Sequence, residues 1–242
     1  MSQTGLKMKK TFPGFPKELF KFLSDLSKNN NREWFNANKE RYRSNVVAPV
    51  CEFIAAIQPA LHKISEYYVA DPRPHGGSMF RIYKDTRFSK DKLPYKDHVG
   101  CHFRHIIGKD AHAPGFYMHL APDEVFFGAG IWKAPNPELH KIRTAIVRNP
   151  ERWEKVIKNR SLIKRFDGVD GEGLKRPPKE FDPDHTHIQD LKRKTFFVLQ
   201  TVKPSSASKP EFIKEVGKAF STAGPLVKFI TEALGLSYLK QK

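Results

Sequence analysis

Cysteine is scarce in this sequence, and no two cysteines are spaced as a motif. Cys51 and Cys101 are the only two, and no Cys-x-x-Cys pattern occurs. A chain of 242 residues can bury a hydrophobic core without disulfides, so the one disulfide that two cysteines allow is not needed. This usage excludes a disulfide-rich secreted scaffold and favours a reducing cytoplasm.

Long apolar runs and a secretory leader are also lacking. The apolar runs are short and interrupted, below the roughly 20 residues that a membrane-spanning helix needs, so we expect no transmembrane segment and no membrane partner. Residues 1–12 lack the apolar stretch of a signal peptide, and no arginine precedes Arg32, whereas transit peptides are rich in arginine. We therefore interpret residues 1–12 as a disordered basic tail and expect a cytoplasmic protein.

Acidic residues are outnumbered by basic ones. Lysine and arginine total 43 against 26 aspartate and glutamate residues, which gives a net charge of +17. The imbalance favours an acidic partner, such as nucleic acid, a phosphorylated metabolite or an anionic surface, although solubility alone would also explain it. The basic residues are scattered along the chain, which is a weaker indication of nucleic-acid binding than one basic stripe.

Helical spacing dominates both ends of the chain. Pro16 is predicted to open a first helix, which residues 29–31 end. An asparagine among residues 29–31 is also predicted to cap the second helix. Residues 34–68 are predicted to be helical, with kinks or restarts at Pro49 and Pro59. Residues 166–184 are rich in Gly, Pro and Asp and are typical of a long loop. The predicted C-terminal helices cover residues 136–148 with Asn136 as cap, 150–159, 187–193, and a last helix from Pro210 that restarts at Gly224-Pro225.

The middle third of the chain has the pattern of short strands. Residues 121–124 should form a hairpin turn, and Gly128 and Gly130 indicate a bulge or a close approach by another group. The predicted strands cover residues 79–84, 99–107, 115–121, 124–132 and, later, 195–202. Helices, then antiparallel strands, then helices predict an α+β fold, with a central, mainly antiparallel sheet flanked by N-terminal and C-terminal helices. We expect one domain over residues 13–237.

A basic motif lies at the start of this middle third. Residues 81–96 are rich in cationic and phenolic donors, opposed in charge only by Asp85 and Asp91. This composition suits an anionic ligand better than a core. Asp85 lies between Arg81 and Arg87 and can orient their guanidinium groups through charge-assisted hydrogen bonds, leaving other donors for a phosphate, sulfate or carboxylate.

The motif Arg81-x-x-x-Asp85-x-Arg87-Phe88-x-x-Asp91-Lys92-x-x-Tyr95 resembles the signature of the DUF2461 family of bacteria and fungi. That signature usually has an arginine just before the aspartate, where this chain has Lys84, which keeps the charge but not the planar fork. The resemblance continues through residues 30–35, 114–117, 128–132, 174–177 and 183–185, and spans roughly residues 12–235. It implies no reaction, because the family has no settled activity.

The candidate site residues combine this motif with nearby cations and one indole. Asp85 and Tyr95 are candidates for proton transfer, although the sequence assigns them no partner. Trp132 ends a glycine-bearing strand and is the best candidate for stacking on a ligand. The residues predicted to contact the ligand are Arg81, Lys84, Arg87, Lys92, Tyr95, Lys96, Trp132, Lys175 and Arg176.

No metal site is predicted, and no cofactor is indicated. In a strand, His98 and His102 face one side while Cys101 and His105 face the other, so the four cannot converge on one ion. The sequence has no dinucleotide, kinase or hydrolase motif. His119, in a predicted hairpin strand, could act in acid–base chemistry if it faces a cleft.

Three functional hypotheses remain at this point. The first is a domain that binds a phosphate-bearing or other anionic small ligand, with catalysis left open. The second is a nucleic-acid-binding module, although no recognition-helix or RNA-binding motif supports it. The third is a structural protein whose arginine–aspartate network only holds the fold.

Overall fold

A computed structural model describes residues 12–85, 87, 92–107 and 113–239. The predicted basic tail therefore lies outside the described residues except for its last member. That residue, Phe12, is only 2% exposed and packs edge-on against Phe15 and Phe53. Asp91, which belongs to the basic motif, also lies outside the described residues.

Four strands form one antiparallel sheet in the order β1-β2-β3-β4. They are β1 (Val99–Arg104), β2 (Gly115–Leu120), β3 (Val125–Ile131) and β4 (Phe196–Val202). The predicted hairpin turn is confirmed, because the Ala121 N–H donates to the Glu124 carbonyl at 2.8 Å. The predicted strand at 79–84 is wrong as a continuous strand. It forms only isolated bridges, since the chain folds back on itself and pairs Tyr83 with Tyr95.

Side chains alternate between the two faces of the sheet. One face is mainly apolar and largely buried, and it packs against α10 (Phe212–Ala233). α10 in turn packs against α4 (Ala48–Ile64). The buried face includes Cys101, Phe103, Phe116, Met118 and Phe127. Burying each phenylalanine contributes about 1.5–3 kcal/mol before entropy costs, so this face contributes substantially to the stability of the fold. The opposite face has no helix packed on it among the described residues.

The N-terminal part of the chain is helical as predicted, but the run predicted over residues 34–68 is divided into several elements and ends at Ile64. The N-terminal elements are α1 (Lys17–Lys28), α2 (Arg32–Ala37), α3 (Lys39–Tyr42), a π-helical turn (Arg43–Val47) and α4. The Asn31 side chain accepts a hydrogen bond from the Trp34 N–H at 2.9 Å, which confirms the predicted cap. The π-helical turn ends two residues before Pro49, and α4 continues through Pro59 without the restart considered there.

The helical run Lys39–Ile64 is long and apolar enough, by length and composition, to cross a membrane, which differs from our expectation. Its apolar side chains, including Phe53 and Ile57, are buried in the protein core. Its other side carries Glu52 and Lys63, which face solvent. Such an amphipathic helix is typical of a soluble protein.

The C-terminal helices are α5 (Asn136–Arg148), α6 (Pro150–Ile157), α7 (Arg160–Phe166), α8 (Ile188–Leu191), α9 (Pro204–Ala207) and α10. The predicted restart at Gly224-Pro225 is wrong, because α10 continues through Pro225. Its neighbours Leu226 and Val227 are fully buried, and this packing outweighs the one lost backbone hydrogen bond. The predicted cap at Asn136 is also wrong, because Asn136 is already helical.

The sequence interpretation did not anticipate α7. Its start is marked by Asn159, whose side chain accepts from the Leu162 N–H at 3.0 Å. The architecture is the predicted α+β fold, an antiparallel sheet with helices before and after it in the chain. Both cysteines are free thiols.

Candidate ligand-binding groove

The open face of the sheet holds an apolar groove of about 500 Å³. Phe80, Tyr117 and Phe126 wall one end, and Trp132 and Phe197 wall the other. Its floor contains Gly115, Gly128 and Gly130. A groove of this size, largely apolar with a few polar groups, has the character of a small-molecule site.

The groove stays open because its floor cannot carry side chains. A Cβ atom at Gly128 would collide with the Val198 carbonyl oxygen, and one at Gly130 with that of Phe196. Gly130 also has a φ of 140°, which favours glycine. The pairing of β3 with both neighbours is continuous, so there is no bulge. Of the two readings of these glycines, the close approach is confirmed, and the approaching group is the backbone of β4.

A polar edge lies beside the first end of the groove. The Tyr117 hydroxyl is 3.3 Å from His119 Nδ1. The His119 ring is stacked between Phe126, with centroids 4.5 Å apart, and His98, at 4.4 Å. Burial, and then the electrostatic effect of the neighbouring His98, lower the pKa of His119 to about 4. Burial raises the pKa of the Tyr117 phenol. At neutral pH this edge therefore offers hydrogen bonds without charge.

Two lysines stand over the aromatic walls. The Lys96 ammonium lies 5.4 Å from the centroid of Phe80, and the Lys133 ammonium lies 5.8 Å from that of Trp132. These are cation–π distances. Lys96 Nζ also donates to the Arg81 carbonyl oxygen at 3.0 Å. Burial, and then the charge of Arg81, lower the pKa of Lys96. Each end of the groove thus carries a cation at its rim.

The basic motif reaches the groove by running alongside β1. The Phe80 N–H donates to the Gly100 carbonyl at 2.9 Å, which fixes Phe80 at the edge of the sheet. The chain then turns back, and the Lys96 N–H donates to the Ile82 carbonyl at 2.8 Å. This pairing brings Lys96 next to Phe80, although the two are far apart in sequence.

The returning arm of the motif is held by the turn between α1 and α2. Asn30 accepts from the Tyr95 N–H at 3.1 Å and donates to the Tyr95 carbonyl at 3.0 Å. The Tyr95 ring stacks on Phe35, with centroids 4.1 Å apart, and is only 4% exposed. Tyr95 was predicted to bind the ligand and to be a candidate for catalysis. In the structure its side chain is buried and holds the returning arm of the motif against the N-terminal helices.

Asp85 orients the Arg87 guanidinium group through hydrogen bonds, as predicted for this arginine. Its two carboxylate oxygens accept from Arg87 Nε at 3.0 Å and Nη2 at 2.7 Å. The hydrogen bonds from Arg87 lower the pKa of Asp85 to about 2, so the carboxylate stays ionised. Both side chains are solvent-exposed, at 77% for Arg87 and 43% for Asp85. Neither lines the groove.

The remaining predicted residues divide between the two edges of the sheet. Arg81 and Lys92 are exposed and Lys84 is half-buried, all in the segment beside β1. Lys175 and Arg176 are exposed on the loop that follows Gly173, which bridges to Arg193 before β4. The structure therefore brings Lys96 and Trp132 to one groove, with Arg81 beside Lys96. It places Lys175 and Arg176 at the opposite edge.

Several groove residues were missed by the sequence interpretation, namely Phe80, Phe126, Phe197 and Gly115. The pair of glycines in β3 was the signal that something approaches this face closely. The histidines near β1 do not converge, because Cys101 lies in the core while His98 stacks on His119. Among the described residues, no group of three His, Cys, Asp or Glu side chains is placed to hold a metal ion.

Fold and groove together define an α+β domain with a cation-rimmed apolar site on the open face of an antiparallel sheet. The chain belongs to the DUF2461 family: the sequence model of this conserved hypothetical protein matches residues 18–229. The matched region includes the basic motif and all strands of the sheet. No curated protein matches the chain.

Proposed function

We propose that the groove binds a phosphate-bearing or other anionic small molecule. Its apolar part would lie on the glycine floor, and its anionic group would meet the cations at the rim. One observation carries the proposal: Lys96 belongs to the basic motif, and its ammonium lies over Phe80, which lines the groove. The basic motif and the groove therefore contact each other at Lys96 and Phe80.

The electrostatics favour an anion at this point. Arg81 lies close enough to Lys96 to lower its pKa, and an anion would relieve the repulsion between the two positive charges. Lys96 is also half-buried, and charges interact more strongly where water is partly excluded. The net charge of +17 would attract such a ligand from a distance.

Binding is the proposal, and catalysis is left open. Asp85 is committed to Arg87, and Tyr95 is buried under Phe35. Acid–base chemistry in the groove would thus fall to Tyr117 with its partner His119. We place the protein in the cytoplasm, because its two cysteines are free thiols.

The test is a thermal-shift screen against nucleotides, sugar phosphates and inorganic polyanions, followed by titration of each hit. Lys96→Met should weaken binding by at least about tenfold, the equivalent of 1.4 kcal/mol. Lys214→Met removes the same charge from an exposed position on α10 and should bind like wild type. The proposal fails if no anionic compound stabilises the wild type, or if the two variants bind alike.

The structural hypothesis is less well supported by the geometry. The Arg87–Asp85 pair is solvent-exposed, and exposed ion pairs contribute little to stability. The segment is instead held by Asn30, Tyr95 and Phe35. Arg87→Ala should therefore leave the unfolding midpoint nearly unchanged, as measured by urea titration.

A nucleic-acid-binding function is the second candidate, and one observation favours it. Aromatic side chains on an open sheet face, next to cations, can stack successive bases of a single strand. A gel-shift titration of single-stranded DNA and RNA at two salt concentrations tests it. Affinity should fall steeply with salt if phosphates are neutralised. Weak binding that does not change with salt would remove this candidate.

A further inference from the structure

We infer that the ligand of the groove is nucleotide-like: a planar heteroaromatic ring that carries a phosphate group. This inference rests on the proposed function and names the chemical class of the anion. The class covers a free nucleotide and a single nucleotide unit of a nucleic-acid strand. The walls, the floor and the polar edge of the groove each support it.

The walls of the groove are aromatic at both ends. Tyr117 lies 5.9 Å from Phe126 and 6.3 Å from Phe80, measured between ring centroids. At the other end Trp132 lies 5.2 Å from Phe197. Trp132 is 50% exposed, although an indole of this size is usually well buried. Exposed rings of this kind offer π-faces on which a flat heteroaromatic ring can stack.

The floor suits a flat molecule. Gly115, Gly128 and Gly130 expose peptide planes where other strand residues would raise side chains. A Cβ atom at Gly115 would come within 2.7 Å of the Phe103 carbonyl oxygen, so this position is also confined to glycine. A planar ring that stacks on a wall can therefore enter the groove without meeting side chains from the floor.

The polar edge distinguishes a heteroaromatic ring from a hydrocarbon. Of the polar edge, Tyr117 lines the groove, and His102 adds an imidazole to the lining residues. A nucleobase has donors and acceptors around its rim that can bond to such groups, whereas an alkyl chain would cover them without replacing their water.

The backbone at Lys133 holds one rim cation in an unusual conformation. Lys133 has a φ of 46°, in the left-handed region that non-glycine residues rarely adopt. Strain of this kind is common at ligand sites. Here it accompanies the placement of the Lys133 ammonium over the Trp132 ring. A phosphate therefore has a cation within reach at either end of a ring seated between the walls.

Isothermal titration of the full chain measures separately how much the ring and the phosphate group contribute to binding. The probes are the four common nucleoside monophosphates, adenosine, ribose 5-phosphate and hexyl phosphate. At least one nucleoside monophosphate should bind at least about tenfold more tightly than each of the other three compounds. A single-stranded pentanucleotide, titrated alongside, shows whether the unit is recognised free or within a strand.

Variants at Trp132 locate the ring. Trp132→Leu should weaken nucleotide binding by at least about tenfold, and Trp132→Phe should retain most of the affinity because it keeps an aromatic face. Melting curves of both variants confirm that they fold. Equal affinities of the Leu and Phe variants for the nucleotide would contradict stacking on this residue.

The outcomes also separate this inference from the proposed function. If hexyl phosphate or ribose 5-phosphate binds as tightly as every nucleotide, the ring is not recognised, and only anion binding stands. If adenosine binds as tightly as its monophosphate, the phosphate is not recognised, and both proposals fail. If none of the phosphate compounds binds, this inference fails, whereas the proposed function stands if another anion from the thermal-shift screen binds the wild type more tightly than Lys96→Met.

Discussion

Replacing Asn30 with alanine should loosen the basic motif from the rest of the protein. Asn30 makes two hydrogen bonds to the backbone of Tyr95, at 3.0 and 3.1 Å, and both are partly buried. Each bond contributes about 1 kcal/mol net, so Asn30→Ala should lower the free energy of unfolding by about 2 kcal/mol. For a protein of this size the melting temperature should fall by about 4–8 °C.

Urea unfolding measures this loss, and hydrogen exchange at the Tyr95 amide shows whether it is local to the motif. Asn36→Ala is the matched control, because Asn36 is exposed on α2 and no side-chain hydrogen bond of Asn36 appears in the described part of the structure. We expect this control to stay within about 0.5 kcal/mol of wild type. Equal stability of the two variants, or a Tyr95 amide that exchanges no faster in Asn30→Ala, would show that Asn30 does not hold the motif.

Three further perturbations test the floor, the polar edge and the rim of the groove. Gly128→Ala should cost about 3 kcal/mol or more in urea unfolding, because its methyl group meets the β4 backbone, whereas Gly224→Ala meets only ordinary contacts and should stay within about 1 kcal/mol. Burial lowers the pKa of His119 to about 4 in the folded protein, below its unfolded value of 6.5. The unfolded state thus binds the proton more readily, and stability should be lost as the pH falls from about 6.5 to 4. His119→Gln should flatten that part of the profile, and an unchanged profile would contradict it. Lys133→Gly should remove the backbone strain of the left-handed conformation and stabilise the protein by about 1 kcal/mol. The same variant should weaken anion binding, because it removes a cation from the rim. A loss of stability would show that the backbone at Lys133 is not strained.

The parts of the fold that were predicted correctly are mostly those that local signals in the sequence determine. The Asn31 cap, the helical spacing and the turn at 121–124 depend on neighbours within a few residues, and all three are present in the structure. Errors arose where tertiary packing decides. Pro225 lies inside a helix because its neighbours are buried, and the segment 79–84 pairs with residues that return from far along the chain.

The candidate site was predictable only in part, for a related reason. The sequence alone shows the run of cations at 81–96 and the position of Trp132 at the end of a glycine-bearing strand. The groove between them is formed by every second residue of neighbouring strands, such as Gly128 opposite Tyr117 and Gly130 opposite Gly115. The strand register that aligns these residues is set by the hydrophobic pattern and the turns together, so no single segment reveals the hollow.

We propose that the groove on the open face of the sheet is where the anion binds. The most direct test maps amide chemical shifts in the ¹H–¹⁵N spectrum while a phosphate ligand that stabilises the protein is titrated in. We expect the largest changes at Gly115, Gly128 and Gly130 and at the Trp132 indole. Changes confined to the region of Lys175 and Arg176, with the groove glycines unmoved, would contradict it.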